Sequence, residues 1–215
     1  PALLNTVSRY GEQHNIQLPT LKQVISAGAP VPKPVMKRFH GMLGPEASIY
    51  PPYGATESLP VAVLSSHEIL SETWDKTESG SGVCVGYPVT SIEVQVIGIS
   101  DDAIATWSDD LCLPQGEIGE IVVKGPQVTE SYYNDTINTA LSKIADGQGI
   151  RHRMGDLGYL DEQGRLWFCG RKAHRVQTKS ETLFTVPCEA IFNSHPSVYR
   201  TALVGVSDGT NTKPV

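Results

Sequence analysis

Three stretches of this chain set small residues beside side chains that can grip charge. The first is the turn within Ile49–Pro60, "IYPPYGATESLP", where Tyr53, Gly54, Ala55, Thr56 and Glu57 follow two prolines. Thr56 offers a hydroxyl to a phosphate oxygen, Glu57 offers a hard carboxylate to Mg²⁺, and Tyr53 offers a ring on which a flat ligand can stack. The second is "ISAGAPVP", in which Gly28, Ala29 and Pro30 leave the backbone open to the face of such a ligand. The third is "RHRMGDLGYLDEQGRLWFCGRK", Arg151 to Lys172. Its Asp161–Gly164 turn predicts a hairpin that brings Asp156 and Arg171 together. A carboxylate can accept both hydroxyls of a ribose diol, and an arginine beside it can complete the grip. A solvated turn at Thr56–Glu57 and a structural Asp–Arg pair across a hairpin fit the same residues.

Positioning these groups requires strands that end at a common edge. "LKQVISAGAPVP" reads as a short buried strand leading into a glycine turn, "PVMKRFHGMLG" as a helix opened by Pro34 and closed by Gly41 or Gly44, and "ASIYPPYG" and "LPVAVLSS" as further strands. Ala2, Leu3, Val7 and Tyr10 recur at helical spacing ahead of them, with Gly11 as the expected stop. The β-α-β order predicts a parallel or mixed sheet flanked by helices. From Gly80 the texture changes to short strands in "SIEVQVIGIS", "GEIGEIVVKG" and "GRLWFCG", with one helix in "DTINTALSKIA"; this predicts a β-rich sandwich or barrel. After Arg171, "EAIFNSHPSV" and "RTALVGVS" read as helix and strand. The expected organisation is an α/β part over 1–79, a β-barrel-like part over 80–170, and a hinge with the start of a small α+β domain over 171–215. "GEIGEIVVKGPQVTESYYN" reads as structural.

Composition narrows the class. Of 215 residues, 40% are hydrophobic and 19% charged, enough apolar side chains for a real core. Seventeen basic and 23 acidic residues give a formal charge of −6, with no basic block suited to nucleic acid. No apolar stretch is long enough to span a bilayer. Cys84, Cys112, Cys169 and Cys188 form no CxxC pair and suit reduced thiols in a cytoplasmic protein. The six histidines show no HExxH spacing, His152 reads as a packing residue, and GxSxG is missing.

Taken in order, "YGATE", "GEIGEIVVKGPQVTESYYN" and "HRMGDLGYLDEQGRLWFCGR" resemble the motifs of the adenylate-forming enzymes, the superfamily of acyl-CoA synthetases, peptide-synthetase adenylation domains and luciferase relatives. The resemblance implies ATP as nucleotide substrate, AMP as product and Mg²⁺. It assigns Tyr53 to adenine, Thr56 and Glu57 to phosphate and Mg²⁺ as the catalytic pair, and Asp156, with Arg171 beside it, to the ribose. Gly28, Ala29, Pro30, Gly54 and Ala55 fall at nucleotide-binding positions.

"SAGAPVP", "YGATESLPVAV", "GVCVGYPV" and "HRMGDLGYLDEQGRLWFCGRKAHRV" are also similar to the bacterial olefin β-lactone synthetases over nearly the whole chain. That narrower likeness implies adenylation of a 2-alkyl-3-hydroxy fatty acid and closure to a β-lactone, in a cytoplasmic protein of long-chain olefin biosynthesis that assembles with other enzymes of that pathway. Met154 departs from the superfamily's usual threonine. No glycine lies between Gly170 and Gly205, where most relatives carry a Gly-rich stretch that fits the pantetheine arm of CoA. This departure favours the lactone over a thioester; a fatty-acyl-CoA ligase, a peptide-synthetase adenylation domain and a non-catalytic nucleotide-binding module are the alternatives. The chain opens in a helical pattern and stops after a strand, so both ends read as cuts through a longer protein. The Pro-Lys-Gly phosphate loop and the C-terminal lysine are then expected upstream of Pro1 and beyond Val215, with no adenylation by the 215 residues alone.

Overall fold

The computed structural model describes residues 1–209 and 211–215. Helix α1 (Ala2–Gln13) turns Leu4, Ser8 and Gly11 inward and leaves Leu3, Val7 and Tyr10 outside. It runs past the expected stop at Gly11, because that glycine lets the helix press against Met42: a Cβ there would lie 2.1 Å from the Met42 methyl. Strand β1 (Gln23–Ile25), helix α2 (Lys33–His40) and strand β2 (Ser48–Tyr50) form a parallel β-α-β unit, with Gln23 opposite Ser48 and Ile25 opposite Tyr50. Proline opens α2 and Gly41 caps it. Val35, Met36 and Phe39 on its inner face meet Ile49, Leu64 and Trp167 in the larger core. The expectation of a buried first strand is not met: Ile25 is 73% exposed, because among the described residues β1 pairs with β2 alone and turns one face to an open groove.

The segment read as one strand over "ASIYPPYG" breaks at its two prolines. The chain resumes as β3 (Tyr53–Ala55), which turns back into β4 (Ser58–Val63). Past a helical stretch, 66–81, of alternating α and π turns, the chain enters β5 (Val83–Pro88), β6 (Glu93–Ile97) and β7 (Gly119–Lys124). Helix α3 (Thr136–Ser142) and strands β8 (Lys143–Asp146), β9 (Gly149–Leu160) and β10 (Leu166–Arg171) follow. These strands build one eight-stranded sheet in the order β3-β4-β5-β10-β9-β7-β6, with β8 added beside β9. Every pairing in it is antiparallel, and β4 pairs with β5, so the sheet continues from the Thr56 turn across residue 80.

Val61, Ile121, Val123, Met154 and Leu166 form a second core on the sheet. One buried ion pair crosses it: Arg153 donates to Glu120 at 2.5 Å, both side chains 1% exposed. Lys172 joins them, 3.0 Å from the same carboxylate. Helix α4 (Thr185–Asn193) packs against the end of the 66–81 stretch. Among the described residues no helix is long and apolar enough to cross a membrane.

Candidate functional site

Two glycines explain how the third motif is shaped. Gly155 adopts φ +65° and Gly170 φ +123°, conformations that side-chain-bearing residues rarely hold, and each directly precedes a charged residue of the site. A Cβ on Gly170 would also meet the Thr185 hydroxyl at 2.4 Å. Beyond these turns β9 and β10 place Asp156 opposite Arg171, the pairing that the hairpin turn anticipates. The Arg171 guanidinium donates to Asp156 Oδ1 at 2.8 Å, and the Tyr53 hydroxyl donates to Oδ2 at 2.6 Å. Tyr53 thus reaches from the β3 turn to the hairpin, with its ring tilted against Phe168, 6.1 Å between centroids.

The electrostatics of this trio are uneven. Burial pushes the Asp156 carboxyl up, against the opposing pull of Tyr53 and Arg171. Arg171 points the other way: the Asp156 charge beside it raises its already high value. The carboxylate is the deeply buried partner while the guanidinium is 55% exposed, so desolvation of Asp156 governs the pair. Burial, then the Asp156 charge, lifts the Tyr53 phenol well above its ordinary range and keeps it a hydrogen-bond donor.

Thr56 stands exposed at the turn, and Glu57 beside it is half-buried. The Tyr132 hydroxyl donates to Glu57 Oε1 at 2.7 Å and, ahead of other causes, holds the carboxyl below its usual range. The Thr129 amide donates to the Glu57 carbonyl at 2.8 Å. His152 stands near Glu57 and Lys143, donating from Nδ1 to the Ser142 carbonyl at 3.2 Å, the nitrogen assigned as protonated because a carbonyl only accepts. Burial, then the neighbouring Lys143 charge, pulls its ring down to about 4, so it stays neutral as a packed residue.

All ten sequence-selected residues line one cavity of about 520 Å³: Gly28, Ala29 and Pro30 on one wall, Tyr53 to Glu57 on another, and Asp156 with Arg171 at the hairpin. The cavity also takes in groups the motifs do not flag, among them Trp74 from the 66–81 stretch and Phe168 from β10. Tyr132 is the other omission, since its segment reads as plain strand and turn. The helical stretch opens on a capping box, in which Ser65 and Glu68 exchange reciprocal bonds. No comparable pattern marks Tyr132, whose contact with Glu57 spans 75 positions of sequence.

A family model for AMP-binding enzymes matches residues 1–133. The chain belongs to the AMP-binding enzyme family. It is 46% identical over 220 aligned residues to the olefin β-lactone synthetase of Xanthomonas campestris pv. campestris, covering 100% of this chain and 39% of that protein. It is 30% identical to the 2-succinylbenzoate–CoA ligase of Bacillus cereus, over 96% of this chain and 37% of the relative. The chain therefore spans about two fifths of the length of these relatives. Its fold is that of the O-succinylbenzoate coenzyme A synthetase of Bacillus subtilis, a structure described as a complex with ATP and magnesium ion (TM-score 0.70, 24% identity, 97% of this chain and 39% of that one).

Proposed function

We propose that this chain forms the nucleotide-gripping part of an ATP-dependent, AMP-forming ligase that adenylates a 2-alkyl-3-hydroxy fatty acid and closes it to a β-lactone. The observation that carries the reading is the single cavity shared by Glu57 and Asp156. In this reading adenine lies between Tyr53 and the Gly28–Pro30 backbone, the ribose diol donates to Asp156, and Thr56 faces the phosphates. Each Asp156 oxygen accepts one bond from Tyr53 or Arg171 and keeps lone-pair capacity for one hydroxyl more.

Glu57 fits a magnesium ion: Oε1 accepts the Tyr132 hydroxyl, the residue's own amide also supports the carboxylate, and no side chain among the described residues donates to Oε2. Mg²⁺ is commonly held by one or two carboxylates together with substrate phosphates, a part that the Glu57 carboxylate beside Thr56 can play. When bound, the ion supplies charge neutralisation at the phosphates. The chain's own share is orientation: Tyr53, Asp156 and Arg171 fix the nucleoside, and Thr56 offers a donor to a phosphate oxygen where charge builds.

The acid's carboxylate attacks the α-phosphorus and pyrophosphate leaves. The acid's own 3-hydroxyl then attacks the activated carbonyl, the bond to AMP breaks, and the hydroxyl proton passes to solvent. Holding both reacting groups in one substrate makes this second step intramolecular. The acyl chain is assigned to an apolar groove of about 500 Å³ lined by Ile25, Ala27, Leu59, Pro60 and Val63, which shares Pro52 with the nucleotide cavity.

The choice of lactone over thioester is supported by 46% identity to a β-lactone synthetase against 30% to a CoA ligase, and by the glycine-free run from Arg171 to Val204. Product analysis decides it. A polypeptide of the relatives' length that carries this chain, given ATP, Mg²⁺ and a 2-alkyl-3-hydroxy fatty acid, is expected to yield lactone and AMP without CoA. A product that forms only with CoA and carries a thioester overturns the assignment.

A further inference from the structure

The strap over residues 129–135 is built around Glu57. The Thr129 amide holds the Glu57 carbonyl, and the Lys143 ammonium donates to the Thr129 carbonyl and, at 3.1 Å, to its hydroxyl. That ammonium stands 5.8 Å over the Tyr132 ring. The Tyr132 amide donates to the Thr139 hydroxyl at 3.0 Å, which donates to the Asp135 carbonyl at 2.7 Å at the start of α3. The tyrosine is thus fixed at its backbone and its ring, and its hydroxyl donates to Glu57 Oε1 at 2.7 Å.

We propose that Tyr132 is a positioning residue that biases Glu57 toward ligation through one oxygen and thereby sets the choice of divalent cation; this rests on the nucleotide–metal reading given above. With Oε1 accepting the phenol, a cation that takes both carboxylate oxygens must share Oε1 with Tyr132, whereas a cation that takes Oε2 alone need not. A carboxylate restricted to one oxygen suits Mg²⁺, which prefers an octahedral shell and few protein ligands. Ca²⁺ takes more oxygens at longer distances and gains from a carboxylate that can close on it with both. Removing the phenol oxygen frees Oε1 and releases the carboxylate from its fixed rotamer. Mg²⁺ then loses a preorganised ligand while Ca²⁺ gains a second oxygen.

The test is equilibrium binding of ATP to a polypeptide of the relatives' length carrying Tyr132→Phe, with Mg²⁺ or Ca²⁺ as the only divalent cation. Mutating groups that orient a metal ligand typically lowers metal affinity by about 10–100-fold. We expect ATP binding with Mg²⁺ to weaken by about 10-fold and binding with Ca²⁺ to change by less than about threefold, so that the preference narrows. A merely structural role would weaken both alike, and equal losses, or no loss with either ion, overturn the proposal. Should Tyr132→Phe fail to fold, Lys143→Met, which loosens the strap and leaves the phenol in place, is expected to narrow the preference in the same direction, and equal losses there count against it. Wild-type protein whose ATP binding ignores both cations overturns the underlying metal reading as well, whereas cation-dependent wild-type binding with an unaltered variant overturns this inference alone.

Discussion

Replacing Asp156 with asparagine keeps the shape of the side chain and removes its charge. Two ribose hydroxyls donating to the carboxylate would each contribute about 1.5–3 kcal/mol, the range for a hydrogen bond to a charged group. Arg171 and Tyr53 occupy one site on each oxygen, leaving one per oxygen for the diol. Asparagine turns one oxygen into a donor and makes the other neutral. One diol bond is lost and its companion weakens, a net cost of about 2–3 kcal/mol, or roughly 30- to 150-fold in ATP affinity. The informative assay compares ATP with 2′-deoxy-ATP in pyrophosphate exchange, using a polypeptide of the relatives' length. Wild type is expected to prefer ATP by about 10- to 100-fold, and Asp156→Asn by about threefold. An unchanged preference in the variant would refute the ribose assignment.

The same substitution carries a stability corollary. Because burial raises the folded-state value of Asp156, its contribution to stability is present below the ordinary carboxyl range and is lost as pH rises through the raised value. At neutral pH the ionised group therefore opposes folding, and the thermal midpoint of Asp156→Asn should equal or exceed that of wild type.

Two further expectations concern the frame. His152 has an ordinary value of 6.5 that the fold lowers to about 4, so folding leaves it neutral where the unfolded chain binds a proton; stability is full above 6.5 and declines as pH falls from there to about 4, by ~3 kcal/mol from this group. His152→Gln should remove that part of the acid sensitivity, as read by urea unfolding at pH 7 and pH 4. Glu120→Leu leaves Arg153 buried without its carboxylate and should cost about 3–5 kcal/mol in the same assay; a loss below about 1 kcal/mol would show that the carbonyls of Ser100, Asp102 and Leu141 suffice for it.

The parts of this architecture that could be read from sequence are those fixed by local chemistry. Glu93–Ile97 alternates as a half-buried strand should, and the Asp161–Gly164 turn sets the register that joins Asp156 to Arg171. Glycines mark the two kinks ahead of those residues because no other residue holds that backbone cheaply. What was not legible depends on distant partners. The pattern of "DTINTALSKIA" predicts that α3 runs through "SKIA", but Lys143–Asp146 forms a strand that pairs with β9. The 66–81 stretch lacks clean helical periodicity and is held by Ile69, Leu70 and Trp74 against the core. The first strand's apolar residues predict burial, while its exposure follows from pairing with β2 alone among the described residues. Tyr132 carries no local signal for the same reason: its partner, Glu57, is supplied by the fold.

A crystal structure of the chain with AMP bears most directly on the central claim. The diol should contact Asp156, the base should lie against Tyr53 and Ala29, and the phosphate should face Thr56. A nucleotide seated elsewhere on the molecule, with Asp156 still bonded only to Tyr53 and Arg171, would contradict the account.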